Sequence, residues 1–244
     1  MTSADTWWDT LLTNRLGVDV WEVPSTVYHT APSCRGDAIE AEGLDPFEPT
    51  PDVSTYADTA DDYTVHRWVN IGISDALEVK QRALQEDGEL PANVPSRDQC
   101  VFLWPDLESA CKHAANENRV LGGTVYRLDV ERLTASFSPH EFLVADYELI
   151  REMRHEFVDD ILRSLQDDDA VGVPAAANVD RVSELARQYW LSATPVSSYD
   201  DLLETLEDFE CPEIMAGGFI PAEWLSVQKL HKGFVQQGDA TEAT

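Results

Sequence analysis

The chain has 244 residues, of which 46 are acidic and 17 are basic, and its formal net charge is −29. This imbalance disfavours direct binding to duplex DNA or to an anionic membrane surface, because both depend on Lys and Arg neutralising phosphate charge. No apolar run approaches the roughly 18 residues of a transmembrane helix, and the N-terminus lacks the features of a signal peptide. We therefore expect a soluble cytoplasmic protein, or a virion component if its origin is viral.

The hydrophobic content indicates a folded protein rather than a disordered one. Hydrophobic residues make up 43% of the chain, and seven residues are Trp, which is enough to build a core beneath an acidic surface. The abundance of Asp and scarcity of Lys resemble the proteins of extreme halophiles, which suggests an archaeal or archaeal-virus source. In dilute buffer such like charge opposes compaction, and molar salt screens it.

Apolar periodicity and turn residues divide the chain into alternating helices and strands. Helices are predicted at 5–16, 34–44, 58–87, 105–117, twice within 151–192 around a turn at 167–180, and at 199–209. Strands are predicted at 25–31, 100–104, 122–130, 142–150 (alone or running into a helix), 213–220 and the end of 220–230. Loops are predicted at 45–54 and 86–98.

Individual residues mark several of the predicted boundaries. Gly43 suits the C-terminal cap of the helix over 34–44. Ser74 is predicted to cap the second part of the helical stretch over 58–87, and Ser198 or Asp200 to cap the helix that follows. The four cysteines include no Cys-x-x-Cys pair and no His at zinc-finger spacing, so free buried thiols and no metal site are expected.

Three segments of the chain each combine a predicted strand with characteristic residues at one of its ends. The first is YHTAPSCRGDAIEAEGL (28–44), a strand ending in Tyr-His-Thr and followed by a helix. The second is VFLWPDLESACKHA (101–114), a strand ending in aromatics and followed by a helix. The third is PEIMAGGFIPAEWLSV (212–227), in which a Glu opens a strand that precedes an Ile-Pro-x-Glu-x-Leu motif. Taken in this order, the three segments resemble the ADP-ribosyltransferase superfamily.

The resemblance implies an α+β fold with a split, mixed β-sheet core and helical insertions. On this basis residues 1–24 form a helical extension, 25–230 the ADP-ribosyltransferase-like domain, and 231–244 a polar tail. The insertions fall at about 55–95 and at 151–208.

The resemblance also implies chemistry on NAD, with each role carried by one residue type. His29 matches the His that binds a ribose, and Phe102 falls where an aromatic stacks on nicotinamide. Glu213 matches the catalytic Glu that stabilises an oxocarbenium-like transition state, so His29 and Glu213 are the predicted catalytic pair. Thr30 and Arg35 complete the predicted cofactor-binding residues, with Arg35 facing phosphate. A carboxylate beside developing positive charge stabilises the transition state more than the ground state.

Three functions follow as alternatives. The first is transfer of ADP-ribose from NAD to an unknown protein or nucleic-acid acceptor. The second is a non-catalytic structural or binding module on the same scaffold, for example one held by partner chains in a halophilic virus particle. The third is 2′-phosphotransferase-like activity on RNA, which the scarcity of basic residues disfavours most.

Overall fold

The computed structural model describes residues 25–32, 35–46, 60–111, 123–166 and 179–229. Helices and antiparallel strand pairs make up these residues, so the α+β class is confirmed. The predicted helix at 5–16, the N-terminal extension, the polar tail and most of the predicted turn at 167–180 lie outside the described residues.

The chain divides into two compact units. Unit 1 contains Met1–Asp45, Val101–Ser136 and Phe219–Thr244, and unit 2 contains Pro46–Cys100 and Phe137–Gly218. Each unit is therefore assembled from segments that are distant in sequence. The sequence-based boundaries of a single domain over 25–230 remain a prediction.

Unit 1 contains a three-stranded antiparallel sheet whose central strand is Gly123–Asp129. Its elements are β1 (Thr26–Pro32), α1 (Gly36–Glu42), β3 (Gly123–Asp129), α3 (Val130–Ser136), a 3₁₀ turn (Ala222–Trp224) and β7 (Ser226–Lys229). Pairing of β1 with β3 runs from Thr26 opposite Asp129 to Pro32 opposite Gly123. Both faces of β1 and β3 contain buried residues, because side chains alternate between the faces of a strand: Val27 and Leu128 are buried on one face, and Tyr28 and Val125 on the other.

The strand predicted at 100–104 is confirmed as β2 (Cys100–Leu103), which crosses the boundary between the units at Cys100. After it, residues 107–111 of the helix predicted at 105–117 are helical, and Asp106 caps them because its Oδ1 accepts from the Ser109 amide at 2.7 Å. Within unit 1, Tyr28 and Trp104 exchange two backbone hydrogen bonds of 2.9 and 2.6 Å. These bonds join the β1 segment to the β2 segment.

Gly43 ends α1 as its sequence position predicted, with φ at +106°. The absence of a side chain also lets the backbone of Leu44 bond that of Ile220 in both directions, at 2.8 and 2.9 Å. A Cβ at Gly43 would stand 2.3 Å from the Ile220 carbonyl oxygen. Gly43 therefore joins the end of α1 to the segment that precedes β7.

We expect Gly43→Ala to lower the free energy of unfolding by about 3 kcal/mol, because it combines left-handed strain with a backbone clash. Gly88→Ala is the matched control, since φ is +75° there but nothing lies within 4 Å of the new Cβ. Denaturant unfolding in about 3 M KCl measures both changes. Equal destabilisation by the two variants would contradict the close approach at Ile220.

Unit 2 packs helices against a second antiparallel sheet. Its elements are α2 (Ala60–Glu86), a 3₁₀ turn (Arg97–Gln99), β4 (Phe142–Asp146), α4 (Tyr147–Gln166), α5 (Val179–Ser192), β5 (Thr194–Pro195), α6 (Tyr199–Glu207) and β6 (Pro212–Gly217). Strand β4 pairs with both β5 and β6. Helices α2, α4 and α5 pack on one another, and Trp190 in α5 donates to the Leu77 carbonyl in α2 at 2.8 Å.

Several sequence-based boundaries in unit 2 are settled by the structure. The segment at 142–150 is a strand that runs directly into α4, and Ser198 is the residue that caps α6 through a 3.1 Å bond from the Asp201 amide. Ser74, in contrast, lies inside the continuous helix α2, so its prediction as an N-cap was wrong. Val69, Ile73 and Leu77 are buried at four-residue spacing across this point, and that continuous apolar face explains why α2 does not break there.

In the part of the chain that the structure describes, no helix has the length and apolarity needed to cross a bilayer.

Candidate functional site

Glu213 is a buried carboxylate in the strand β6 of unit 2. It is the second residue of β6, which begins one residue before the predicted start at 213 and ends at Gly217 rather than at 220, and it pairs with Ala145 of β4. Only 8% of Glu213 is exposed, and the next residues of β6, Ile214, Met215 and Ala216, are fully buried. A carboxylate in such surroundings needs charged or hydrogen-bonding partners, because burial of an unpaired charge is strongly unfavourable.

Arg97 supplies the compensating charge. Two of the three guanidinium nitrogens donate to the two carboxylate oxygens of Glu213. Nη2 lies 2.6 Å from Oε1, and Nε lies 3.2 Å from Oε2. Burial by itself acts to lower the pKa of Arg97, but the charge of Glu213 reverses this and the pKa is raised. Such a two-point contact fixes the plane of the carboxylate as well as its position.

Tyr189 of α5 completes the group, because its hydroxyl donates a hydrogen bond of 2.6 Å to Glu213 Oε2. The hydroxyl also lies 3.2 Å from the sulfur of Met215. The pKa of Tyr189 is raised well above its ordinary value, first by burial and then by the negative charge of Glu213. Tyr189 therefore remains protonated at neutral pH and acts as a hydrogen-bond donor. We call Glu213, Arg97 and Tyr189 the carboxylate cluster.

The carboxylate cluster holds Glu213 in one orientation between two donors. A guanidinium and a phenol that both donate to a carboxylate fix its position and orientation, and a carboxylate held in this way is suited to electrostatic stabilisation of developing positive charge. The same arrangement also serves a purely structural purpose, since a buried ion pair with satisfied hydrogen bonds is tolerated inside a fold.

The sequence did not identify Arg97 or Tyr189 as site residues. Arg97 falls in a segment predicted as a loop, where nothing marks one arginine above the others. Tyr189 follows Val182 and Leu185 at helical spacing, which is the ordinary pattern of a core face. The available signal was the apolar context of Glu213, which indicates that a donor must lie opposite but not which residue provides it.

His29 and Phe102 come together in unit 1. The Nδ1 atom of His29 lies 2.9 Å from the backbone carbonyl of Phe102, although the two residues are 73 positions apart. A carbonyl only accepts, so Nδ1 is the donor nitrogen in this contact. The sequence predicted a strand ending at Tyr-His-Thr, but β1 continues to Pro32 because its pairing with β3 does, and His29 lies in its middle.

The remaining predicted binding residues of unit 1 are partly exposed. Thr30 follows His29 on β1 and pairs with Val125. Arg35 is the residue that precedes α1, and Phe102 alternates along β2 with the buried Val101 and Leu103. Unit 1 thus contains four of the predicted site residues, His29, Thr30, Arg35 and Phe102. Unit 2 contains the fifth, Glu213.

Buried thiols lie in both units. Cys100 and Cys111 are buried, and desolvation raises the pKa of each to about 12, whereas Cys211 is half-buried. Within the described residues, no group of three or more His, Cys, Asp or Glu side chains is placed to hold a metal ion.

We expect Cys100 to resist thiol reagents in the folded protein. Raising a thiol pKa from 9.0 to about 12 lowers the reactive thiolate fraction about a thousandfold near pH 8, and burial adds a barrier of access. Titration with a chromogenic disulfide in a Cys34→Ser background should show Cys211 reacting first and Cys100 only on denaturation. A fast phase that disappears in Cys100→Ser would contradict this.

Comparison with known proteins finds no matching family model, no matching curated protein and no matching solved structure.

Proposed function

We propose that this chain is an ADP-ribosyltransferase-like protein that binds NAD through unit 1. The observation that carries the proposal is the 2.9 Å contact between His29 Nδ1 and the Phe102 carbonyl. It joins the first two of the three segments on which the family resemblance rests. The acceptor of ADP-ribose remains an unknown protein or nucleic acid in this proposal.

The chemistry of His29 supports a role in nucleotide binding. Because Nδ1 donates to a backbone carbonyl, the imidazole ring of His29 is held in one orientation on β1, as a residue that contacts a ribose hydroxyl requires. His29 is only part-buried, as is Phe102, whose ring is of the type that stacks on a flat cationic pyridinium. Thr30 and Arg35 are the further residues assigned to NAD, with Arg35 toward phosphate.

Glu213 is the catalytic carboxylate of this proposal. Arg97 and Tyr189 support that role by holding the Glu213 carboxylate in one orientation, in which it would stabilise an oxocarbenium-like sugar as the bond to nicotinamide breaks. Arg97 and Tyr189 are then positioning residues, because they act through Glu213.

We expect the wild-type protein to bind NAD in about 3 M KCl. The His29→Ala variant should bind NAD at least tenfold more weakly, because it loses one well-placed hydrogen bond to the nucleotide. Isothermal calorimetry measures both affinities. His155→Ala is the control, since His155 is an exposed histidine on α4 and its removal should leave affinity unchanged. Wild-type protein that is folded and binds no NAD would refute the proposal.

Catalysis is tested separately from binding by following nicotinamide release. Glu213→Gln should bind NAD with little change and lose turnover at least a hundredfold, because removing a group that stabilises charge in the transition state lowers the rate rather than ground-state affinity.

The second candidate function is a non-catalytic binding module. The observation that favours it is that both carboxylate oxygens of Glu213 already accept strong hydrogen bonds from Arg97 and Tyr189. NAD binding that is retained together with no nicotinamide release by the wild-type protein would favour this module.

A further inference from the structure

A buried glutamine continues the apolar face of α2. Val69, Ile73 and Leu77 are buried at four-residue spacing, and the next position in this series is Gln81, which is 4% exposed. Burial of an amide is unfavourable unless its polar groups are hydrogen-bonded, and an apolar side chain would fill the same position without that cost. The contacts that Gln81 makes should therefore explain its presence in the core of unit 2.

Gln81 holds the chain segment that leads to Arg97. The side-chain amide nitrogen of Gln81 donates to two consecutive backbone carbonyls, those of Val94 and Pro95, at 3.0 Å each. A carbonyl only accepts, so both hydrogens of the amide group are engaged. This pairing fixes the path of the backbone immediately before the 3₁₀ turn that contains Arg97.

The end of β6 contacts the same segment. A Cβ at Gly217 would stand 2.5 Å from Cγ of Pro95, so the missing side chain leaves room for the proline ring against the backbone of β6. The amide of Gly218 donates to the Gln99 carbonyl at 2.9 Å. We call residues 94–99 the arginine segment. It is bonded to α2 near its first residue and to the end of β6 at its last.

Arg97 lies between these two attachments and contacts Glu213, which also belongs to β6. The side chain of Arg97 has several rotatable bonds, and fixing them in one geometry costs conformational entropy. A bidentate contact with a carboxylate tolerates little displacement, because two hydrogen bonds must be satisfied at once. The place of the guanidinium therefore depends on where the attachments of the arginine segment hold the backbone.

We propose that Gln81 is a positioning residue, which acts through the arginine segment to hold Arg97 against the carboxylate of Glu213. Its effect on turnover rests on the proposed function, in which Glu213 is the catalytic carboxylate, whereas its effect on the place of Arg97 does not. The proposal adds α2 to the elements that determine the geometry of the carboxylate cluster.

Cys100 can report on the arginine segment. Its thiol donates to the Ser96 carbonyl at 3.3 Å, and this bond spans the turn that contains Arg97. Cys111 is the internal reference, because both thiols are buried and the pKa of each is raised to about 12. Opening of the whole chain exposes both thiols. The ratio of labelling at Cys100 to labelling at Cys111 therefore measures local opening of the arginine segment.

The test compares Gln81→Met with Gln85→Met in about 3 M KCl. Methionine has nearly the length of glutamine but cannot donate a hydrogen bond. Gln85 is the matched control, because it lies one turn later on α2 and anchors the earlier part of the same loop. Its side-chain amide donates at 3.3, 3.5 and 3.2 Å to the carbonyls of Pro91, Ala92 and Val94. Gln81→Asn, which keeps the amide but is one methylene shorter, replaces Gln81→Met if that variant does not fold.

Two quantities are measured for each folded variant. Alkylation with iodoacetamide followed by peptide mass mapping gives the labelling ratio of Cys100 to Cys111. Nicotinamide release at a series of NAD concentrations gives kcat and KM. The labelling ratio requires no ligand, so it tests the position of the arginine segment independently of any activity.

We expect Gln81→Met to raise the labelling ratio at least tenfold, and Gln85→Met to leave it within about twofold of the wild type. Gln81→Met should lower kcat at least tenfold and leave the KM for NAD within about twofold. The reason is that a displaced carboxylate loses stabilisation of the transition state rather than ground-state binding. Gln85→Met should leave both constants within about twofold.

Two results would overturn the inference. The first is a labelling ratio that does not change in Gln81→Met, or that rises equally in Gln85→Met. The second is a raised ratio with an unchanged kcat, in a protein whose wild type releases nicotinamide. If folded wild type releases no nicotinamide, the proposed function fails, and the labelling ratio alone decides whether Gln81 holds Arg97 in place. The two failures are thus distinguished.

Discussion

Replacement of Arg97 by Met is expected to lower the free energy of unfolding by about 3–5 kcal/mol, because it leaves the buried Glu213 without its cation. The contact is bidentate, and Glu213 is 8% exposed, so water cannot take the place of the guanidinium without opening unit 2. Denaturant unfolding in about 3 M KCl measures the loss, and the persistence of the effect in that salt distinguishes a buried pair from a screened surface pair.

The matched control for this prediction is the double variant Arg97→Met with Glu213→Gln. The amide oxygen of a neutral Gln can still accept a hydrogen bond from the Tyr189 hydroxyl. The double variant should therefore recover most of the stability that the single variant loses. The surface pair of Arg187 with Glu89 provides a second comparison, since both side chains are more than a third exposed. Arg187→Met should change stability by less than about 1 kcal/mol. Equal losses at Arg97 and Arg187 would mean that the Glu213 site is open to solvent.

Dialysis to about 0.01 M salt is expected to unfold the protein cooperatively, and return to molar KCl to restore it. At a net charge of −29 the acidic surface repels itself. The Debye length is about 30 Å at 0.01 M salt and about 3 Å at 1 M, so only high salt suppresses repulsion across the molecule. Circular dichroism during a salt titration gives the midpoint. Full native structure at millimolar salt would contradict the interpretation of the composition as halophilic.

A charge variant separates screening from other effects of salt. Glu204 and Glu207 are exposed near the C-terminal end of α6, where the helix dipole makes negative charge unfavourable. Glu204→Lys combined with Glu207→Lys reduces the net charge by four units without touching the core. The salt midpoint of this variant should be lower than that of wild type. Equal midpoints would show that salt acts through hydration rather than through charge.

Local patterns along the chain predicted most of the elements. The strands β1, β2 and β3 and the helices α1 and α6 lie close to their expected bounds, because alternation, apolar spacing and capping residues act over a few neighbours. Ser74 shows where this fails: a good capping residue within a helix is outweighed by buried Ile73 and Leu77 on either side. Local preference contributes less than burial of a continuous apolar face.

Some residues of the candidate site could be identified from their local sequence, and others only from contacts between distant segments. His29, Phe102 and Glu213 could be selected from the sequence because they fall within recognisable segments. Arg97 and Tyr189 could not, since each acquires its importance from its contact with Glu213, which is distant in sequence.

The sequence by itself determined that this is an acidic α+β protein with a buried glutamate in an apolar strand, because charge, periodicity and apolar context are properties of composition and near neighbours. Only the tertiary structure decided which arginine and which tyrosine satisfy Glu213. Compensation of a buried polar group depends on contacts between distant segments, and those contacts exist only once each unit has packed.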